Sequence, residues 1–315
     1  MQRVVFHYDA SPALRRRLEL LATDGLELRV VPSGDQAAWQ AAMVDAEILW
    51  HVLEPVTAAI IDGAPRLRLI QKIGVGVNTI DLGHAAARGI AVCNMPGTNS
   101  RAVAEMTLAL MLAALRRLPQ LDRATREGRG WKLPPGSMDQ YGEIGGRTVG
   151  LLGHGAVPRL LVPPLRALGA RVIYWSRMPK PDAQAEWRPF DDVLAEADIL
   201  SLHLPLTPET EGLLDAAALE RLKPGAVLVN TARGGLVDQQ ALTRALASGR
   251  LRAAGLDVMK EEPVPPDDPL LGVENVVLAP HLAWLTPETL ERSLAVALEN
   301  CRRLREGEPL LHKVG

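Results

Sequence analysis

Short runs of apolar, β-branched residues alternate with longer stretches of helical periodicity along the whole chain, the pattern of βαβ units that feed a parallel sheet. In the first hundred residues the runs 4–8, 27–31, 48–51, 69–73 and 91–94 predict strands. A second series follows at 148–152, 171–175, 199–203, 227–230, 253–257 and 276–279. Each run in this series closes on a polar residue or a glycine and is otherwise apolar, as a strand covered on both faces requires. Between the series, Ser100 is placed to cap a helix over 101–118, with Met106, Leu110, Met111 and Leu115 at recurring positions, and this helix reads as a domain crossing. The stretch 128–146, rich in Gly, Pro and isolated aromatics, predicts an irregular arm. A last helix over 287–305 is long enough to return to the first domain. The expected fold is α/β, two doubly wound domains with parallel sheets: 1–99 plus 285–315, and 100–284.

Composition narrows the class without changing the fold. A length of 315 residues suits two domains, and 47% hydrophobic with 23% charged residues belongs to a chain that can build large cores. The net charge of −2 gives no bulk attraction to nucleic acid or membrane, so neither partner is expected and any anion must be bound by local charge. The two cysteines, Cys93 and Cys301, are far apart and lack metal-ligand spacing, which points away from disulfides and metal and toward a reducing cytoplasm. The N-terminus runs straight into strand-like Val4-Val5-Phe6, and no apolar run approaches the ~18 residues of a membrane span.

Candidate chemistry lies at the strand ends. After the run 148–152 comes Gly153-His154-Gly155-Ala156-Val157-Pro158 and then a helical pattern. Glycines at such a turn let backbone amides approach a pyrophosphate, and the helix N-terminus adds a favourable dipole. Pro158 stands where G-x-G-x-x-G has its third glycine; it is tolerable in a first turn, whereas Pro163 and Pro164 should kink or shorten the helix. The next strand ends in Ser176, Arg177 and Lys180, where an NAD site carries an acidic residue. A hydroxyl beside basic residues suits the 2′-phosphate of NADP(H); the alternative is a pair of solvated loop cations.

Arg233 follows a buried strand in Asn230-Thr231-Ala232-Arg233-Gly234-Gly235, and its planar fork matches a carboxylate, although a structural ion pair is the competing reading. Glu262 lies in a loop after Leu256-Asp257-Val258, and only its place at the strand ends lifts it above a solvated acid. His281 closes the last run; a lone histidine is more often structural, but one paired with a carboxylate can pass a proton near neutral pH.

Taken together, Gly153-His154-Gly155, the stretch 203–210, the stretch 230–235, Leu256-Asp257-Val258 through Glu262-Pro263, and Pro280-His281 resemble the D-isomer-specific 2-hydroxyacid dehydrogenase family in order and spacing. The likeness extends to Gly74-Val75-Gly76-Val77-Asn78-Thr79-Ile80-Asp81, similar to the family's substrate loop. The resemblance implies a flavodoxin-like substrate domain from both chain ends and an inserted Rossmann-like cofactor domain, with the active site in a cleft. It implies that Arg233 holds the substrate carboxylate and that His281, paired with Glu262, gives a proton to the carbonyl as the nicotinamide gives a hydride. It further implies that amides around Val75 and Gly76 complete carboxylate binding, that Asp257 orients the nicotinamide amide, and that Ala156 and Val157 bind the pyrophosphate, with Thr231, Ala232 and His203 nearby.

Glu262 stands where formate dehydrogenases of the superfamily have glutamine, so formate is disfavoured. The stretch 99–105 resembles phosphoglycerate dehydrogenases, whereas Pro280-His281-Leu282-Ala283-Trp284 resembles hydroxypyruvate and glyoxylate reductases. With no regulatory domain after Leu311, a serine-regulated phosphoglycerate enzyme is not expected. The expectation is therefore a homodimeric, NADP(H)-preferring reductase of glyoxylate or hydroxypyruvate, NAD remaining an alternative cofactor. Phosphoglycerate oxidation, phosphite oxidation and a dinucleotide-sensing scaffold of the corepressor type are the alternative functions.

Overall fold

In a computed structural model that describes residues 1–21, 25–132, 136–181 and 184–314, the chain divides into two compact units, Met1–Asn99 with Thr286–Gly315, and Ser100–Leu285. Both are α/β.

The first unit is built on β1 (Gln2–His7), β2 (Leu26–Val31), β3 (Ile48–His51), β4 (Leu69–Lys72) and β5 (Ala91–Cys93), parallel and ordered β2-β1-β3-β4-β5. The strand order reverses between β1 and β3, the flavodoxin-like arrangement. Every residue of β3 and β4 is buried, including the polar His51, Gln71 and Lys72 at their C-terminal ends. The helix Pro287–Glu306 belongs to this unit: Asn300 Nδ2 donates to Gln71 Oε1 at 2.6 Å, and Asn300 Oδ1 accepts the Leu311 amide at 2.7 Å. This fully buried, satisfied amide fastens the returning chain to β4 and guides Lys313–Val314 into antiparallel pairing with β5.

The second unit carries β6 (Thr148–Leu152), β7 (Arg171–Trp175), β8 (Glu186–Trp187), β9 (Ile199–Leu202), β10 (Ala226–Asn230), β11 (Leu251–Leu256) and β12 (Val276–Leu278). All are parallel, in the order β12-β11-β10-β9-β6-β7-β8, so this order reverses between β6 and β9 as in a dinucleotide-binding sheet. Leu194, Leu219 and Leu242 cover one face, and Leu110, Met111, Leu115, Leu161 and Leu165 the other. Gly255 shows how close the layers are: a β-carbon there would lie 2.9 Å from Cβ of Leu110. Among the described residues no helix is long and apolar enough to cross a membrane.

Two local expectations are corrected. The helix expected over 101–118 begins at Ser100, which is buried inside its first turn and is not a cap, and ends at Arg116. Arg117 turns left-handed at φ 51°, and a second helix, Leu118–Arg126, follows. Pro119 accounts for the break: it has no N–H to offer the Leu115 carbonyl, which accepts the Gly142 amide at 3.0 Å. Conversely, Pro163 and Pro164 do not shorten their helix, which runs unbroken from Ala156 to Ala167. The carbonyls deprived of partners belong to Arg159 and Leu160, both exposed, where water can serve them. Of the expected arm 128–146, residues 133–135 lie outside the described residues; Ser137–Gln140 forms a single 3₁₀ turn.

Candidate active site

Because the strands of the second unit are parallel, the loops that follow β6, β7, β9, β10, β11 and β12 all emerge at one edge of its sheet, and the candidate residues are on these loops. At the point of reversal, Gly153 has φ 106°, and a β-carbon would meet the His203 carbonyl oxygen at 2.6 Å. Only glycine fits. Gly155 differs: a β-carbon there would meet nothing within 4 Å. It is the N-cap of Ala156–Ala167 and provides no side-chain cap, so among the described residues the amides of Ala156 and Val157 have no protein acceptor. Pro158 supplies no further N–H. Open space in front of two unpaired amides fits a pyrophosphate, and the residues present therefore suit a dinucleotide.

Beyond β7, Arg177 and Lys180 are exposed and no ion pair engages either side chain among the described residues. Ser176 Oγ donates to the Met178 carbonyl at 2.6 Å, which shapes the turn. After β9, His203 shares a hydrogen bond of 2.9 Å with Ser201, and burial pushes its imidazole down to about 3, so the ring is neutral.

The loop after β10 is closed by Asn230, whose Oδ1 accepts the Ala232 amide at 3.0 Å while its Nδ2 donates to the Arg233 carbonyl at 2.9 Å. Thr107 donates its hydroxyl to the Val103 carbonyl at 2.7 Å, which leaves Thr231 as donor in the 2.8 Å bond between the two threonines. That bond fixes Thr231 to the Ser100–Arg116 helix. Burial pushes the Arg233 guanidinium below its ordinary range, and the negative charge of Glu262 opposes the shift.

His281 and Glu262, 19 positions apart, are brought together: imidazole Nδ1 is 2.6 Å from Oε2. Oε1 of the same carboxylate accepts the Met259 amide at 2.9 Å. Burial alone would raise the Glu262 carboxyl, but the bonds from His281 and Met259 and the nearby positive charge of Arg233 outweigh it and hold the group below its ordinary value. A carboxylate fixed in this way orients the ring and leaves Nε2 for substrate. His281 itself has φ 56°, uncommon for a residue with a side chain, and its amide donates to the Asp257 carbonyl at 2.7 Å.

Asp257 has a structural task that the sequence did not reveal. Its two oxygens accept the amides of Leu282 and Ala283, each at 2.9 Å, so it clamps the turn that carries His281. Burial raises this carboxyl, and the two amides counter the shift. Gln239 was also missed: its side-chain oxygen accepts the Lys260 amide at 2.9 Å and steadies the Glu262 loop. No sequence signal marks Gln239, because its importance comes from a fold contact 21 positions away.

In the first unit, the loop after β4 leaves the amides of Val75 and Gly76 without protein acceptors among the described residues. Its shape is held by Asn94 Nδ2, which donates to the Val75 carbonyl at 2.9 Å, and by the Met95 amide on the Gly74 carbonyl at 2.9 Å.

A dinucleotide-type sheet with an imidazole–carboxylate pair and a guanidinium at its ligand edge defines a nicotinamide-dependent oxidoreductase. The family description "D-isomer specific 2-hydroxyacid dehydrogenase, NAD binding domain" matches residues 108–283, within the second unit. A glyoxylate reductase of Korarchaeum cryptofilum is 40% identical over 270 residues, 84% of this chain and 81% of that protein. A D-3-phosphoglycerate dehydrogenase of Mycobacterium leprae is 41% identical over 290 residues, 90% of this chain but 54% of that enzyme, so the chain spans about half its length. The crystal structure of the TT0316 protein from Thermus thermophilus superposes with a TM-score of 0.89 at 37% identity, covering all of both chains. The chain belongs to the D-isomer-specific 2-hydroxyacid dehydrogenase family and is an NAD(P)-dependent oxidoreductase that transfers a hydride at a 2-hydroxy acid.

Proposed function

We propose that the protein is an NADP(H)-preferring reductase of a small 2-oxo acid, glyoxylate or hydroxypyruvate. The observation that carries this reading is the 2.6 Å contact between His281 and Glu262, on the same sheet edge as Arg233. When bound, the nicotinamide supplies the hydride. Arg233 pairs with the substrate carboxylate and draws electron density from the carbonyl. His281 gives the carbonyl oxygen a proton from Nε2 while Glu262 stabilises the imidazolium through Nδ1; in oxidation the same ring takes the proton back. Ser176, Arg177 and Lys180 take the 2′-phosphate, and Ala156 and Val157 the pyrophosphate.

Support for a short substrate comes from the likeness to the glyoxylate reductase over most of both chains. The same reading includes a homodimer, supported by the exposed apolar residues Leu112, Leu118, Trp131 and Met138 on the Ser100–Arg116 helix and the segment after it. Cys93 and Cys301, both free and buried, accord with a reducing cytoplasm.

Initial rates with glyoxylate, hydroxypyruvate and 3-phosphohydroxypyruvate, each with NADPH and NADH, test the assignment. Faster turnover of the phosphorylated acid refutes the substrate class, and equal use of NADH refutes the cofactor reading. His281→Ala is expected to abolish reduction while NADPH binding persists.

A further inference from the structure

The carboxylate that orients His281 sits on a turn, and a side chain from another element holds that turn. Glu262 Oε1 accepts the Met259 amide, and the next amide along the chain, that of Lys260, donates to Oε1 of Gln239 at 2.9 Å. Gln239 is the first residue of the helix Gln239–Ala247. The other end of its side chain is also engaged: Nε2 donates to Oδ2 of Asp268 at 2.6 Å. Asp268 in turn caps the 3₁₀ turn Pro269–Gly272, where its Oδ1 accepts the Leu270 amide at 2.8 Å. The Leu270 side chain is fully buried in the core of the second unit. A continuous line therefore runs from the core through Asp268 and Gln239 to the turn that carries Glu262.

The chemistry of these groups gives the line a direction. A carboxylate only accepts, so Gln239 must turn its NH₂ group to Asp268, and its oxygen is then left for the Lys260 N–H. With the amide reversed, NH₂ would face N–H and both bonds would be lost. Stability does not demand this arrangement. Asp238 already caps the helix by accepting the Ala241 amide at 3.0 Å, and Lys260 is exposed, so water can serve its amide in place of Gln239. Ordering a long glutamine side chain also has an entropic cost. What the glutamine supplies and water does not is a fixed position, referred to the core.

We infer that Gln239, oriented by Asp268, is a positioning residue for the proton transfer: it fixes the turn on which Glu262 meets His281, and so the direction in which the imidazole is presented. The inference rests on the reading of His281 as the proton donor. Arg233 is held separately, by Asn230 through its carbonyl and the Ala232 amide. Loss of the Gln239 contact therefore slows the bound complex and leaves substrate affinity nearly unchanged.

The test exchanges donor and acceptor. In Gln239→Glu two carboxylates face each other, and the 2.6 Å bond becomes a repulsion. In Asp268→Asn the one remaining oxygen cannot serve both Leu270 and Gln239. When the two substitutions are combined, the new amide donates to the new carboxylate, whose second oxygen accepts the Lys260 amide, and the Leu270 amide keeps its acceptor. The measurement is kcat and KM with NADPH and whichever 2-oxo acid is reduced fastest, with a thermal melt of each variant. Each single substitution is expected to lower kcat about tenfold, with KM within about twofold of the wild type. The double variant should return kcat to within about threefold. Gln239→Met, of similar length and without the amide, gives the same kcat reading if a charged variant folds poorly. Wild-type kcat in the single variants overturns the inference, as does a double variant no faster than the singles or a loss carried by KM. His281→Ala, run in parallel, separates the two readings. If it keeps the wild-type rate, the proton-donor reading fails and this inference with it; if it abolishes reduction while the Gln239 variants run at full rate, the inference alone fails.

Discussion

A β-carbon built on Gly234 would lie 1.9 Å from the carbonyl oxygen of Met259 and 2.0 Å from its carbonyl carbon. Two backbones thus touch: the loop that carries Arg233 and the turn whose Met259 amide binds Glu262. No rotamer change can relieve a clash with a main chain, so any side chain at position 234 has to separate the loops. The spacing of guanidinium, carboxylate and imidazole is set by that contact. Gly234→Ala is expected to lower kcat/KM by roughly 100-fold, the effect of a displacement of about 1 Å among reacting groups. Steady-state kinetics with a thermal melt checks it; a value within twofold of the wild type would show that the loops are not coupled.

Gly155 offers the opposite case. Its backbone, φ −85° and ψ −155°, is open to any residue, and a β-carbon there meets no neighbour. Gly155→Ala should therefore leave the thermal midpoint within about 1 °C, since surface changes without a lost contact are nearly neutral. The methyl group instead occupies the space in front of the Ala156 and Val157 amides. Cofactor affinity is expected to fall by at least about tenfold, equivalent to ~1.4 kcal/mol. Unchanged NADPH affinity by fluorescence titration would place the pyrophosphate elsewhere.

The sheets were legible because their central strands are buried on both faces, and largely apolar runs such as those of β3, β9 and β10 leave few alternatives. The edge strands Glu186–Trp187 and Lys313–Val314 escaped, being two residues long and defined by pairing with a neighbour and not by pattern. The two proline-marked helices were misjudged in opposite senses: ahead of Pro119 the helix stops at Arg116, short of the 118 that periodicity gave, while Pro163 and Pro164 are accommodated on an exposed side. Local rules state what a proline removes; they do not say whether water replaces it. Arg233, Glu262 and His281 stood out as candidates because each lies at or in the loop after a buried run and the motifs occur together. Asp257, Gln239 and Asn230 hold the site through backbone amides distant in sequence or in loops of irregular shape, and that role follows only from the folded geometry.

Asp257 can be tested through the turn it clamps. In Asp257→Asn one oxygen becomes an NH₂ group, which faces the amide of Leu282 or Ala283 donor to donor. The turn loses a charge-assisted bond and acquires a repulsion, and His281, held at φ 56° by this turn, has reason to move. We expect kcat to fall about 10- to 100-fold, as a misplaced catalytic group would produce, with a smaller change in NADPH affinity. If NADPH binding fails while kcat at saturation is kept, the carboxylate serves the nicotinamide amide and not the turn.

His51 gives a stability prediction with a defined sign. It ends β3, is 2% exposed, and its Nε2 is hydrogen-bonded to the Glu54 carbonyl while Nδ1 is sealed without a partner among the described residues. Burial, with the positive charge of Lys72, pushes the imidazole from its ordinary 6.5 down to about 3. The folded form is then depressed relative to the unfolded one. Between pH 6.5 and 3 the unfolded chain binds a proton that the native ring refuses, so stability decreases as the medium is acidified. One such group contributes a slope of at most ~1.4 kcal/mol per pH unit. His7, also lowered by burial, and His203 act in the same direction, so removal of His51 takes away part of the dependence and not all of it. Glu262 belongs to a lower window: its stabilisation is complete above the unfolded carboxyl value and fades only as pH drops through the native one. Urea midpoints between pH 7.5 and 5 therefore isolate the histidines. His51→Gln, which cannot be protonated, should lose less stability over that interval than the wild type, and parallel curves for the two proteins would mean that the ring is charged in the native state.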